Sequence, residues 1–468
     1  MPRQLTIDPI TRIEGHASVE IYVDDANRIS NTVFKVMDFR GFESFLQGMQ
    51  IEMMPVITAR ICGTCPVTHH LAASRAIDKV FGAKIPRSAE LQRNIMNLGA
   101  LVSSHATHFF ALAGPDLLLG LKSDPAKRNI IGMAEKYPVL SKKALRLRSI
   151  GQRIVELVGG RGTHPVASVA GGMATVIKKD TLNKLRQLAA EGLKLGRNIY
   201  ATAKTRLAPQ KKLLRSLPLK TNYLGTVNAG NLDFYEGELR LKMINGHTIA
   251  FNEDDWTQYL SEHAVDDSYG KHVSCKTESG TAPYRVGPLA RLNCVDRIDT
   301  PNANEQLEEM RHIFGHPCHQ TVMYHYTRMI ELLYAVEKIY QLVQEKELLD
   351  DKVMSPLGTP QDACAHVEAP RGVLIHDYKV DGNGIITQAN LLVATQQNFS
   401  AINATIGMSA QAFIQQPDDL LLNAIEFGIR CYDPCLSCAT HRMGEMKLKV
   451  DILQSGKLIR RVTRSSNF

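Results

Sequence analysis

The chain has 468 residues, more than one hydrophobic core usually serves, so length alone suggests two or three subdomains. At 44% hydrophobic and 22% charged it reads as an ordinary globular protein; no apolar run nears the ~18 residues of a membrane span, and the opening Met1-Pro-Arg-Gln-Leu-Thr6 has no signal-peptide core, so a cytoplasmic protein is expected. The net charge of +8 does not describe a nucleic-acid surface, because residues 442–468 alone carry seven Lys/Arg against two Asp/Glu and no basic patch interleaved with aromatics occurs elsewhere.

Along the chain, alternating segments at 17–23 and 29–36 flank the turn Asp24-Asp25-Ala26-Asn27 and predict a hairpin. Helical spacing follows at 71–80, then in long patterns at 88–113, 141–158 and 180–206, the last with Asp180 as its N-cap. A mixed insert occupies roughly 220–285, where segments 239–244 and 247–251 flank Asn245-Gly246, a type I′ turn signal. The strongest helix is predicted over 320–349, with Met323, Tyr326, Ile330, Leu333, Val336, Tyr340 and Val343 on one apolar stripe. A second hairpin, 373–379 with 385–394, closes on Asp381-Gly-Asn-Gly384, and a helix follows near 396–414. No repeat and no Ser/Pro/Gly-rich linker interrupts this order. The predicted fold class is mainly α with small β excursions, a multi-element α+β chain with a central bundle of long helices and N-terminal and peripheral β-hairpins.

The chemistry concentrates in two cysteine pairs about 370 residues apart, Arg60-Ile-Cys62-Gly-Thr-Cys65-Pro-Val-Thr-His69 and Asp433-Pro-Cys435-Leu-Ser-Cys438-Ala-Thr-His441. A C-x-x-C step read as a helical turn sets both sulfurs on one side. Four thiolates converging on one point select a soft metal: zinc, copper(I), nickel or iron. Structural zinc, an iron–sulfur cluster and a buried catalytic metal all remain open from the residues alone. Zinc ribbons, however, place their pairs within ~20 residues. The other five cysteines, Cys275, Cys294, Cys318, Cys364 and Cys431, read as reduced, buried small hydrophobes. Unaided, Glu14 reads as an ion-pair partner of Arg12 or another arginine, Arg371 as a surface salt-bridge residue, and His69 as a core histidine satisfied by backbone.

These residues resemble the large subunit of nickel–iron hydrogenases, whose motifs R-x-C-G-x-C-x-x-x-H and D-P-C-x-x-C-x-x-H both occur without mismatch. The resemblance extends through Asp8-Pro-Ile-Thr-Arg-Ile-Glu14-Gly-His16, Arg40-Gly-Phe-Glu43, Ser104-His105-Ala-Thr-His108, Tyr284-Arg-Val-Gly-Pro288 and Glu368-Ala-Pro-Arg371-Gly372. Pro115-Asp116-Leu-Leu-Leu-Gly120 and Ser123-Asp-Pro-Ala-Lys-Arg-Asn129 look like the soluble, bidirectional NAD-linked type. The resemblance implies that all four thiolates bind nickel, Cys62 and Cys435 terminally, while Cys65 and Cys438 bridge to an iron carrying carbonyl and cyanide. It implies heterolytic cleavage of dihydrogen, with Cys435 accepting the proton and Glu14 carrying it away. Arg371 would lie over the open metal position with Asp116 and Asp433 as partners, and His69 would hydrogen-bond a thiolate. Glu43 and His441 would hold a magnesium ion, for which a carboxylate suits better than an imidazole.

The implied partners are a small subunit with iron–sulfur clusters, flavin-bearing diaphorase subunits that bind NAD(P), a nickel-loading chaperone and a maturation endopeptidase. The endopeptidase would remove residues 442–468 beside His441, leaving a domain over 1–441 with its N-terminal hairpin region at 1–40. The tail itself, around Gln454-Ser-Gly456-Lys457, could instead be an ordinary retained hairpin. A chain still carrying it could keep Cys435 and Cys438 away from Cys62 and Cys65. No Gly-x-Gly-x-x-Gly unit opens a strand and helix here, so a nicotinamide site is expected on another subunit. Competing readings are the same site coupled to a ferredoxin or heterodisulfide partner, a dihydrogen-sensing regulatory protein, and a metal-free relative of respiratory quinone reductases. Four intact cysteines weigh against the last.

Overall fold

The computed structural model describes residues 3–38, 41–265, 268–440, 448–454 and 457–464. Among them lie mainly helices, with six small sheets. Helix α1 is Pro66–Val80, α2 Arg87–Thr107, α3 Pro138–Gly159, α4 Lys179–Leu207, α5 Met323–Leu342, α6 Phe399–Phe413 and α7 Asp418–Cys431. Helices α2, α3, α4 and α5 pack in a closed cycle, a four-helix bundle, because each presents an apolar stripe at helical spacing to its neighbours. No helix among the described residues is long and apolar enough to cross a membrane.

The expected N-terminal hairpin forms as β2 (Ala17–Val23) and β3 (Ile29–Val36), and β1 (Arg3–Ile7) adds to its open edge. The sheet nearest the site has β4 (Ala363–Ala369), β5 (Gly372–Val380) and β6 (Ile386–Leu392) in antiparallel order. It separates two hydrophobic clusters. Leu374 and Tyr378 join the main core, while Val373 and Ile375 face a smaller core built with the insert. Alternation with period two decides these memberships, and it also sends His376 towards α1.

Several expectations shift. Helix α4 begins at Lys179 with Lys178 as N-cap, so Asp180 lies in the first turn, where its charge meets the helix dipole. The 320–349 pattern is a helix only over α5; a separate 3-10 turn covers Lys346–Leu349, and Tyr340 is 40% exposed. Asn245-Gly246 is not a two-residue type I′ turn. That type needs positive φ at both residues, and only Gly246 has it; Met243 N–H reaches His247 O, closing a five-residue loop. A hairpin does form in the tail, Leu448–Gln454 with Lys457–Arg464.

One buried imidazole on α1 ties stability to pH. His70 Nδ1 lies 2.8 Å from the Pro55 carbonyl, which only accepts, and the Ser168 N–H donates to Nε2 at 3.1 Å, so the ring is neutral with its proton on Nδ1. Burial pushes its pKa down to about 4. The unfolded chain, with an ordinary histidine near 6.5, binds the extra proton first as pH falls. His70 therefore supports the fold above pH ~6.5, and that support is lost progressively as pH falls to about 4, by roughly 3 kcal/mol in all. Chemical denaturation at pH 7 and pH 4.5 is expected to show this loss, and His70→Gln should flatten the pH slope between them.

Candidate metal centre

The two cysteine pairs meet. Their four sulfurs lie within 4.8 Å of one another, and all four side chains are buried. Cys62 Sγ is 3.1 Å from Cys435 Sγ, Cys65 Sγ 3.2 Å from Cys438 Sγ, and Cys435 Sγ 3.0 Å from Cys438 Sγ. The first pair is not a helical turn, as its spacing had suggested. Cys62 is extended at φ −141°, ψ 139°, and Cys65 caps the N-terminus of α1 ahead of Pro66. The second pair opens a short helix, Leu436–Ala439, just after α7. The 448–464 hairpin is described alongside these converged sulfurs, while the residues that join the two, 441–447, lie outside the described residues.

The electrostatics of the four sulfurs suit a bound cation. Hydrogen bonds from neighbouring thiols draw Cys62 well below the usual thiol range and Cys65 down to about 7, whereas burial drives Cys435 and Cys438 well above it. Four thiolates cannot all ionise in so small a volume without a nearby cation, and a soft divalent ion supplies the missing charge and releases the protons. The donor set therefore fits a nickel centre. A cavity of about 20 Å³ adjoins three of the sulfurs, bounded by Cys65, Cys435, Cys438, Arg371, Leu374 and Thr395.

Glu14 reaches the site from the loop after β1. Its backbone pairs with Cys435 as a parallel bridge, and Leu436 N–H donates to its carbonyl at 3.1 Å. The carboxylate receives Ser437 N–H on Oε2 at 3.0 Å and the Ser437 hydroxyl on Oε1, leaving Oε2 3.1 Å from Cys435 Sγ. Arg12 is not its partner. That guanidinium sits on Asp116 at 2.6 Å.

Arg371 occupies the tight turn between β4 and β5 and is buried, not at the surface. Its Nε donates to the Asp433 carbonyl at 2.6 Å and its Nη2 to Asp433 Oδ1 at 3.1 Å, while Nη1 has no protein partner. Burial works against the charge, but Asp433 first, and the neighbouring cysteine sulfurs when ionised, hold the guanidinium protonated. The turn is set by the Tyr284–Pro288 motif. A Cβ on Gly287 would stand 2.7 Å from the Arg371 carbonyl, and one on Gly372 2.8 Å from Gly287 N, so neither position admits a side chain. Asp433 itself has φ 52°, a left-handed conformation that aspartate tolerates better than most residues.

His69 Nε2 lies 3.4 Å from Cys438 Sγ, and its other nitrogen faces His376 rather than backbone. Asp116 stands apart from Arg371. It is clamped by Arg12, by Arg430 Nη1 at 2.9 Å, and by Arg128 Nε at 3.0 Å, the last without an aligned hydrogen bond. Glu43 is buried and accepts from Leu391 N–H at 2.9 Å and Lys271 Nζ at 3.4 Å, so a magnesium ion there competes with an ammonium group. The second expected magnesium ligand, His441, lies outside the described residues, as do Arg40 and the bond beside His441. The remaining five cysteines are buried and free. Burial raises their thiols, Cys318 to about 11 and Cys294 to about 12, as inert core residues require.

Sequence reading missed three contributors. Thr64 Oγ1 sits 3.0 Å from Cys62 Sγ, Ser437 holds Glu14, and Thr395 Oγ1 accepts Cys435 N–H at 2.9 Å. The first two stand inside the C-x-x-C steps, where a hydroxyl residue is a usable signal. Thr395 carried no signal.

The chain matches the family model described as nickel-dependent hydrogenase over residues 40–138 and 230–441, and one described as HoxL-like over 4–39. It is 38% identical to a chain of the F420-non-reducing hydrogenase vhc of Methanococcus voltae, over 98% of this chain and 99% of that one. It is 34% identical to the NAD-reducing hydrogenase HoxS subunit beta of Cupriavidus necator, with the same coverage. Among solved structures, an NAD+-reducing [NiFe]-hydrogenase in the H2-reduced state superposes with a TM-score of 0.89 at 35% identity, over 94% of this chain and 99% of that one.

The Asp116 clamp gives a stability prediction. Asp116→Ala leaves three guanidinium groups facing one another, two of them wholly or almost wholly buried, and should cost about 3–5 kcal/mol in urea unfolding with an unchanged m-value.

Proposed function

The chain belongs to the nickel-dependent hydrogenase family as its catalytic large chain, and we propose that Cys62, Cys65, Cys435 and Cys438 are its metal ligands for reversible heterolytic cleavage of dihydrogen. The observation that carries the assignment of residues is the convergence of four buried sulfurs. In this reading Cys62 and Cys435 would hold nickel alone, and Cys65 and Cys438 would hold it together with an iron that carries carbonyl and cyanide. A small cavity adjoins Cys65 and Cys438, the two sulfurs assigned to iron in this reading. Bound there, the metals supply the Lewis acidity that divides dihydrogen into a proton and an electron pair.

The protein's part is to receive and export the proton. Cys435 Sγ takes it and passes it to Glu14 Oε2, 3.1 Å away. Ser437 keeps the carboxylate aimed at that sulfur. Glu14 is half-buried and lines a cavity of about 330 Å³ with Thr64, His108 and Arg371, which offers the proton a way out of the dry interior. Arg371, held by Asp433, keeps positive charge beside the four sulfurs.

Electrons leave through a small subunit with iron–sulfur clusters. The acceptor we propose is NAD(P), reached through flavin-bearing diaphorase subunits, as supported by the similarity to NAD-reducing relatives. A second reading, a ferredoxin or heterodisulfide partner, is favoured by the somewhat higher identity to F420-non-reducing relatives. The family model ends at residue 441, which supports removal of residues 442–468 during maturation.

Purification with whatever accompanies the chain should give one nickel per copy of this chain, together with dihydrogen-dependent NAD(P)+ reduction. Nickel without that reduction would retire the NAD(P) reading alone, and a zinc-only preparation from fully matured cells would sink the proposal. Glu14→Gln should retain nickel but lose at least about 100-fold in dihydrogen oxidation. Intact mass of the nickel-loaded chain should correspond to a terminus at His441; a loaded chain of full mass would count against cleavage.

A further inference from the structure

Behind Cys438, three buried side chains stand in series. Cys438 Sγ lies 3.4 Å from His69 Nε2, His69 Nδ1 lies 3.1 Å from His376 Nε2, and His376 Nδ1 lies 2.8 Å from the Tyr378 hydroxyl. His69 is 1% exposed and the other two are fully buried. His376 and Tyr378 are two residues apart on β5 and so share the face turned to α1, which carries His69.

The direction of hydrogen bonding along this series is set at one end. A metal-bound thiolate only accepts, so His69 Nε2 must donate to it. In a neutral imidazole the other nitrogen is then an acceptor, and His69 Nδ1 takes the proton of His376 Nε2. By the same rule His376 Nδ1 accepts, and the tyrosine donates. Burial pushes Tyr378 far above the usual phenol range, so it keeps the proton this role requires. Reversing the series would turn an imidazole lone pair towards a thiolate. Apolar side chains would fill this part of the core without the cost of desolvating two imidazoles and a phenol, so packing alone does not account for them.

We propose that His376 and Tyr378 are positioning residues for the metal centre, holding His69 in its Nε2–H form so that Cys438 carries a fixed hydrogen bond that draws electron density from the metal it binds. The proposal rests on reading Cys438 as a ligand of an iron that bears carbonyl and cyanide. Each bond in the series polarises the next, so the effect extends beyond the residue in contact with sulfur.

The stretching bands of carbonyl and cyanide report electron density on iron directly, apart from turnover. In the metal-loaded complex, Tyr378→Phe should move these bands to lower frequency, and His376→Leu further, with nickel and iron contents unchanged. His376→Gln, whose side-chain amide can donate to His69 Nδ1, should restore them towards their original positions. Unmoved bands in metal-loaded His376→Leu would overturn the proposal. If that variant does not fold, Tyr378→Phe, which removes one oxygen and keeps the ring, decides by the same criterion. Absence of both nickel and carbonyl bands from the unaltered complex would instead defeat the nickel–iron reading on which the inference stands.

Discussion

Four sulfurs within 4.8 Å, closed off from water, are the constraint around which the surrounding residues are arranged. Thiolates so close repel one another strongly at low effective dielectric, and burial penalises each charge again. Without a metal the chain meets this by keeping protons on Cys435 and Cys438 while Cys62 and Cys65 ionise more readily. Arg371 is a fixed cation coupled to these sulfurs, and its own burial is tolerated because Asp433 neutralises it. A metal entering the site exchanges held protons for its own charge, so binding is coupled to proton release.

The same constraint divides the charged residues nearby into two groups. Arg371 and Asp433 face the sulfurs, and Glu14 touches Cys435. Asp116, Arg12, Arg128 and Arg430 instead form a separate ionic knot, which also reaches Glu426 and the Thr11 backbone and so ties the segment before Glu14 to α7. Opposite charge alone did not predict which arginine meets which carboxylate. That choice is made by elements far apart in the chain, 104 residues for Arg12 with Asp116 and 314 for Arg430 with Asp116.

What was legible in the sequence was what repeats locally. The long helices announced themselves through apolar spacing, and the cysteine pairs through motif. Strands Asn222–Asn228 and Ala363–Ala369 are buried almost throughout, on both faces, so they carry no alternation to read. The C-x-x-C spacing fixed which atoms could meet but not the backbone that brings them together: an extended Cys62 and a helix-capping Cys65 serve as well as a helical turn. Tyr284–Pro288 was legible as a motif, yet its role emerges only when Gly287 is found against the Arg371 carbonyl. Thr395, from the short helix Ala394–Gln397, had nothing to mark it until its hydroxyl met Cys435 N–H.

The separation of the two pairs has a consequence for the order of events during synthesis. Cys62 and Cys65 leave the ribosome well before Cys435 and Cys438, which lie 373 residues further along the chain. A chain from which only the first pair has emerged therefore offers half of the proposed ligand set, together with a Glu14 that lacks Ser437 to hold it. If the four sulfurs hold one metal, as proposed, its tight capture would wait for the second pair, so the ligand arrangement would itself set the order of folding and metal binding.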